Sequence, residues 1–475
     1  MEDMAASVEP GANAPQQQHQ TPTATPPPPP AHRIILTRRY LHLLLLSLLL
    51  GVPIALACFC FVGLQHWLQH EVWTSLPRAA GYDAAPWWWP LPALAFAGAV
   101  LVPIVTLVPG RGGHQPVDGI AGGPSIGPRE LPGVALAALA TLPLGVVLGP
   151  EAPLMALGSG LALFAVHRFK PAGGEQSAKV LATAGSTAAI STILGGPLVA
   201  AVLVVEAAGI GGAGLSALLM PCLIASATGA VVFTGFGDWT GLSIGGLGLP
   251  DVPPDANPDA GDFLWGIPLA VLIACAITLF HHLGRRTARW TNYRTDHRTN
   301  CRRTATRTFT CALAVGVLLT AYALITGRSP EEAALSGQAT LGALAARPDA
   351  WSIAALLALV LCKGLAWGLS LGSLRGGPIF PALLLGAATA LTCAGLPGLG
   401  TAPALAVGIC AGATAVLGLP LCSAVLTVLL LGEDGHSQMP LVVITAVVAH
   451  LTVLLLKRWD KARHARHRTT LQSDS

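Results

Sequence analysis

Glu151 is the residue with the most chemistry to offer. It stands in Gly149-Pro150-Glu151-Ala152-Pro153, inside a long apolar stretch. A glycine and two prolines around one carboxylate read as a helix start, because glycine permits close approach and proline is tolerated in a first turn. Free N–H groups and the positive end of the helix dipole make such a start attractive to anions. A carboxylate there is either a partner of the dipole or a stand-in for an anion. A second acid, Glu206, lies in another apolar run with Ala207 beside it. The motifs of hydrolytic and metal chemistry are missing from the sequence: there is no His-Glu-x-x-His, no Asp-rich diphosphate motif and no metal-ligand cluster. The ten cysteines form no Cys-x-x-Cys pair and read as small buried hydrophobes. No enzyme activity, cofactor or metal is expected.

The elements that position Glu151 follow from composition. Of 475 residues only 27 are Lys or Arg and 23 are Asp or Glu, so 11% are charged. An ordinary soluble domain carries about 25%. Hydrophobic residues make up 53%, and mean hydropathy is +0.62. These values exclude a soluble enzyme, a nucleic-acid-binding protein or a disordered scaffold as readings of the whole chain. They predict an all-α integral membrane protein with many spans, because backbone polar groups in lipid must be satisfied internally and no alternating strands are present. The 54 glycines and 38 prolines suggest broken and tilted helices.

Residues 1–32 are polar, end in a proline run, and read as a disordered cytosolic tail. Residues 33–456 form the expected membrane domain, and 457–475 a basic tail. The segment 285–307 holds eight arginines and the single acid Asp296. By the positive-inside rule this loop and both termini are cytoplasmic. The stretch 235–262, with five aspartates and no Lys or Arg, reads as external, as do Glu331 and Glu332. Beside a span, the arginine-rich loop is a topology signal rather than a nucleic-acid site.

The chain repeats itself. Gly149-Pro150-x-x-Pro153-x-x-x-Leu157-Gly158 matches Gly377-Pro378-x-x-Pro381-x-x-x-Leu385-Gly386. Leu194-Gly195-x-Pro197-Leu198 matches Leu417-Gly418-x-Pro420-Leu421, and Gly185 matches Gly408. Two motifs in the same order at similar spacing mean a duplicated unit, with halves near 90–234 and 308–450. Duplicated halves with interrupted helices are a transporter signature, and here they suggest two helix starts aimed at one site. Glu151 has Ile379 as its counterpart.

These residues resemble the CLC family of chloride channels and chloride/proton antiporters over roughly residues 90–450. Gly149 to Pro153 is similar to the family's GREGP motif. Gly376-Gly377-Pro378-Ile379-Phe380-Pro381 through Ala387 is similar to its GGxFAPxLxxGA motif. Ala189 through Glu206 resembles the helix that ends in a glutamate pair, and Lys363 through Ser373 the helix leading into the second motif. The resemblance implies an inverted repeat, a homodimer with a pore in each subunit, and chloride or another small anion as cargo. It implies Glu151 as the gating glutamate, with Gly149, Pro150, Ala152, Pro153, Gly377, Pro378, Ile379, Phe380 and Pro381 along the anion pathway.

The sequence also departs from the family pattern. The GSGIP motif best matches Gly112-Gly113-His114-Gln115-Pro116, so Gly113 replaces the pore serine and His114 follows it. A competing match, Gly123 to Pro128, would restore a serine as Ser125. Phe380 sits one place later than the family phenylalanine. No tyrosine follows Tyr322, so the family's tyrosine ligand is absent. Ala207 occupies the position of the proton-transfer glutamate, with Glu206 as its hydrogen-bonding neighbour. Arg375 reads either as a buried charge that stabilises an anion or as an interfacial anchor. The expectation is an anion channel or uncoupled transporter in a bacterial inner membrane. A chloride or fluoride/proton antiporter with an altered relay, and a non-conducting descendant, are the alternatives.

Overall fold

The computed structural model describes residues 36–119, 126–169, 174–209, 212–241, 248–249, 257–291 and 297–473. The proline-rich tail 1–32, Ser125, Asp251, Asp255 and Asp296 lie outside the described residues. Among those described there are fifteen helices, and the only strand-like pairing is one isolated bridge. Eight helices are long and apolar enough to cross a membrane, and four shorter apolar helices accompany them. The chain is an all-α integral membrane protein.

The first half holds α1 (Arg38–Ala79), α2 (Pro90–Leu107), α3 (Leu131–Leu139), α4 (Glu151–Phe169), α5 (Gly174–Ser191), α6 (Pro197–Ala208) and α7 (Gly212–Thr240). Next come α8 (Ala260–Thr291) and α9 (His297–Thr326). The second half continues with α10 (Gln338–Ala346), α11 (Ile353–Ser373), α12 (Ile379–Leu391), α13 (Thr401–Leu417), α14 (Pro420–Leu431) and α15 (Met439–Ser473). Helix α15 covers both the last apolar span and the start of the basic tail.

Local chemistry sets these boundaries. Proline opens α6 and α14 at Pro197 and Pro420, where its missing N–H costs nothing. Gly209 and Gly418 close α6 and α13 in the left-handed conformation, with φ of 58° and 70°. Ser352 caps α11 by accepting the Ala355 N–H at 3.2 Å.

The repeat is visible in the packing. Helices α4 and α5 cross at Gly158 and Gly185, where a Cβ on either glycine would strike the other's backbone. Helices α12 and α13 cross at Gly386 and Gly408 in the same way. Sequence matching pairs Gly158 with Gly386 and Gly185 with Gly408, so both halves use one crossing. Small residues let membrane helices approach closely where there is no hydrophobic drive between them.

Between α3 and α4 the backbone leaves the helical form inside the protein. Its polar groups are met by buried partners: the Trp73 indole donates to Pro143 O at 3.0 Å, and Leu335 N–H donates to Gly145 O at 3.3 Å. Thr141 Oγ1 donates to Arg375 O at 2.7 Å and so ties this segment to the approach to α12. Irregular backbone at membrane depth requires satisfaction of this kind.

Candidate anion pathway

The two repeat motifs meet at their glycines. Gly149 and Gly377 form an antiparallel bridge, with reciprocal N–H···O bonds of 2.8 and 2.5 Å. A reciprocal pair is unchanged by a two-fold rotation, so it suits the pseudo-symmetry axis of a duplicated fold. Helix α4 begins two residues after Gly149, and α12 two residues after Gly377. The two helix starts therefore lie side by side, as the repeat predicts.

Glu151 crosses this junction. Its side chain is fully buried, and Oε1 accepts the Phe380 N–H at 2.9 Å. The N–H groups of Ile379 and of Glu151 itself also face the carboxylate. Oε2 is buried without a hydrogen-bond partner of its own. Gly149 and Gly377 are pressed against this oxygen: a Cβ on either would collide with it. Among the described residues no cation forms an ion pair with the group. The ion pairs among the described residues are Lys179–Glu175 and Arg328–Glu332, both elsewhere. The negative charge of one repeat is thus set against the helix start of the other.

Pro150, Pro153, Pro378, Ile379, Phe380 and Pro381 are all buried around this junction, and Ala152 is half-buried. They shape it and, apart from backbone N–H groups, offer no polar atoms. Gly113 and His114 are not part of it. They belong to the loop 108–119, where Gly113 faces Val134 of α3 and Gly112 lies against the Arg375 side chain. Burial holds His114 below the usual imidazole range; Asp118 opposes that shift and Arg375 adds to it. Arg375 itself is 7% exposed, which excludes the anchor reading in favour of a buried charge.

Glu206 reaches across to the other repeat. Its Oε1 accepts the Leu421 N–H at 3.0 Å and its Oε2 the Cys422 N–H at 2.7 Å. Both carboxylate oxygens therefore cap the first turn of α14. Ala207 is exposed on the surface of the chain.

Lys363 was missed as a site residue by sequence reasoning. It is fully buried in α11, and Nζ donates to the carbonyls of Ala333, Ala334 and Leu335 at 2.9, 2.8 and 3.3 Å. Leu335 in turn bonds Gly145, so Lys363 braces the segment that leads to Glu151. A lysine in an apolar run is the signal that would have found it.

Comparison with known proteins agrees with this architecture. The family described as "Voltage gated chloride channel" matches residues 110–454. A relative from Salmonella paratyphi A, named "Putative ion-transport protein YfeO", is 31% identical over 169 residues. That alignment spans 35% of this chain and 40% of the relative. Similar solved structures include a CLC-type fluoride/proton antiporter, with TM-score 0.66, 19% identity, and coverage of 86% of this chain and 94% of the other. A slow cyanobacterial Cl⁻/H⁺ antiporter gives TM-score 0.70 at 16% identity, covering 89% and 95%. At these identities the solved structures share the fold.

Proposed function

Because this chain belongs to the voltage gated chloride channel family, we propose that it passes a small anion such as chloride, gated by Glu151 and not coupled to proton transport. One observation carries the reading: the Glu151 carboxylate occupies the Phe380 N–H at the start of α12. A carboxylate there takes the place that a passing anion would take.

Magnitudes explain why such a group can open. A charge-assisted hydrogen bond contributes about 1.5–3 kcal/mol, and a helix N-terminus up to about 2 kcal/mol in buried geometry. Desolvating an ion costs several kcal/mol. The charged carboxylate is therefore held with little to spare. A proton arriving on Glu151, or an anion competing for the N–H, releases it.

The proton side of the proposal rests on Glu206 and Ala207. Alanine carries no proton. Both Glu206 oxygens are committed to α14. No carboxylate at this position is left to relay protons to Glu151. By the same family reading the protein is a homodimer; by composition and loop charge it sits in a bacterial inner membrane with both termini in the cytoplasm.

The test is chloride flux from proteoliposomes across acid to neutral external pH. Wild-type flux should rise with acid. Glu151→Ala should be high and flat. A mutant as pH-sensitive as wild type would remove Glu151 from the gate. Absence of flux from both proteins would favour a non-conducting descendant.

A further inference from the structure

Helices α8 and α15 run side by side in the same direction. Near their starts Gly266 of α8 lies against α15, where its Cβ would come within 3.1 Å of Leu441 Cδ1. Near their ends both carry cations. Lys457 of α15 lies in the field of Arg285 of α8 and of Lys461, one turn further on. His281, one turn before Arg285, lies in the field of Arg285, His282 and Lys457. Two packed helices thus bring like charges to one seam, at the end of the bundle that loop charge assigns to the cytoplasm.

The fold does not neutralise this seam. Among the described residues no carboxylate forms an ion pair with Arg285, Lys457 or Lys461. Lys457 and Lys461 are an i,i+4 pair of like charge, an arrangement that weakens a helix. Nor do these cations cap helix ends. Helix α8 runs more than a full turn beyond Arg285, and α15 three turns beyond Lys461, whereas the helix dipole acts within the last turn. Arg307 supplies the contrast. It lies over the Trp290 ring, 5.1 Å from the centroid, and donates to Trp290 O, so its charge is met inside the protein. The positive-inside rule asks for cations near span ends. It does not ask that two helices bring them to one seam.

Depth points to the partner. Lys457 and Lys461 are exposed, and Arg285 is half-buried. Leu454, one turn toward the bilayer from Lys457, and Leu279, under two turns from Arg285, are 42% and 68% exposed. The cations therefore stand where apolar helix surface ends, which is the level of the lipid headgroups. Trp459, also exposed, marks the same interface. We propose that Arg285, Lys457 and Lys461 form a binding site for the phosphate of an anionic phospholipid, whose acyl chains lie along the exposed leucines. The headgroup screens the repulsion between α8 and α15 and ties their ends together. The site does not depend on what the protein transports.

Native mass spectrometry of the full chain, released from neutral detergent with equal amounts of phosphatidylglycerol and phosphatidylcholine, tests this. Wild type should retain phosphatidylglycerol in preference. A cation at a membrane surface is worth roughly fivefold in affinity for anionic lipid. Lys457→Gln and Arg285→Gln should each reduce the preference by about that factor, and Lys457→Gln with Lys461→Gln by more. Arg302→Gln with Arg303→Gln removes two exposed arginines from the same end of the bundle, on α9, and should leave the preference unchanged. A melting series separates the site from damage to the fold. In lipid-free detergent Lys457→Gln should melt no lower than wild type, because it relieves repulsion. Phosphatidylglycerol should raise the wild-type midpoint and raise that of the Lys457/Lys461 variant less. Equal retention of the two lipids overturns the site, and so does equal loss in the Arg302/Arg303 and Lys457/Lys461 variants, which would show diffuse surface charge. Inorganic phosphate that raises the midpoint as far as phosphatidylglycerol does would make the ligand a free anion and overturn the lipid assignment.

Discussion

Glycine at position 149 is explained by Glu151. All three of the nearest atoms that a Cβ there would meet belong to the Glu151 carboxylate, and the backbone does not adopt a left-handed φ. The glycine is needed for space. Gly149→Ala should therefore push the carboxylate off the Phe380 N–H. Losing a charge-assisted bond of about 1.5–3 kcal/mol corresponds to roughly tenfold or more in occupancy of the closed state. Flux at neutral pH should rise toward that of Glu151→Ala, and Gly149→Ala should add nothing on top of Glu151→Ala. Additive effects in the double mutant would show that Gly149 acts through something other than the gate. At this scale the sequence was legible where a motif was duplicated: Glu151 stood out because its counterpart is Ile379. The environment of Arg375 was not legible, because its partner Arg111 lies 264 residues away and no pattern links the two.

Helices of one half are completed by side chains of the other. Glu206, at the end of α6, caps α14, its repeat counterpart, through two short bonds. Removing an N-cap costs about 1–2 kcal/mol, so Glu206→Ala should lower the thermal midpoint in detergent. Glu206→Gln keeps one acceptor oxygen and should fall between the two. Neither variant should alter proton movement in liposomes; a change in proton flux with unchanged stability would make Glu206 a relay instead of a cap. The starts of α6 and α14 were legible from proline, and the crossings from matched glycines. The apolar stretch 131–166 was not fully legible. Gly149 and Pro150 mark the helix start that α4 makes at Glu151, but no residue pattern marks the end of α3 at Leu139. The break is stabilised by Trp73, Leu335 and Thr141, contacts made by distant parts of the chain.

Across the whole molecule, scarcity of charge both marks the membrane and defines the transport problem. Multi-pass character and the duplicated architecture follow from composition and motif order, because lipid admits few other solutions. Coupling does not follow from fold, since proteins that exchange protons for anions share this architecture. It depends on whether protons have a path from each side to Glu151. A path needs titratable groups within reach of one another, and the helix that should contribute one offers Glu206, turned to α14, and Ala207, exposed. The consequence is measurable. In liposomes with the membrane potential clamped, a steady chloride gradient should drive chloride through the wild-type protein without moving protons. Glu151→Ala should conduct faster and be equally silent in the pH record. Sustained proton uptake against its own gradient, abolished by Glu151→Ala, would make this chain an exchanger with a relay built from other residues.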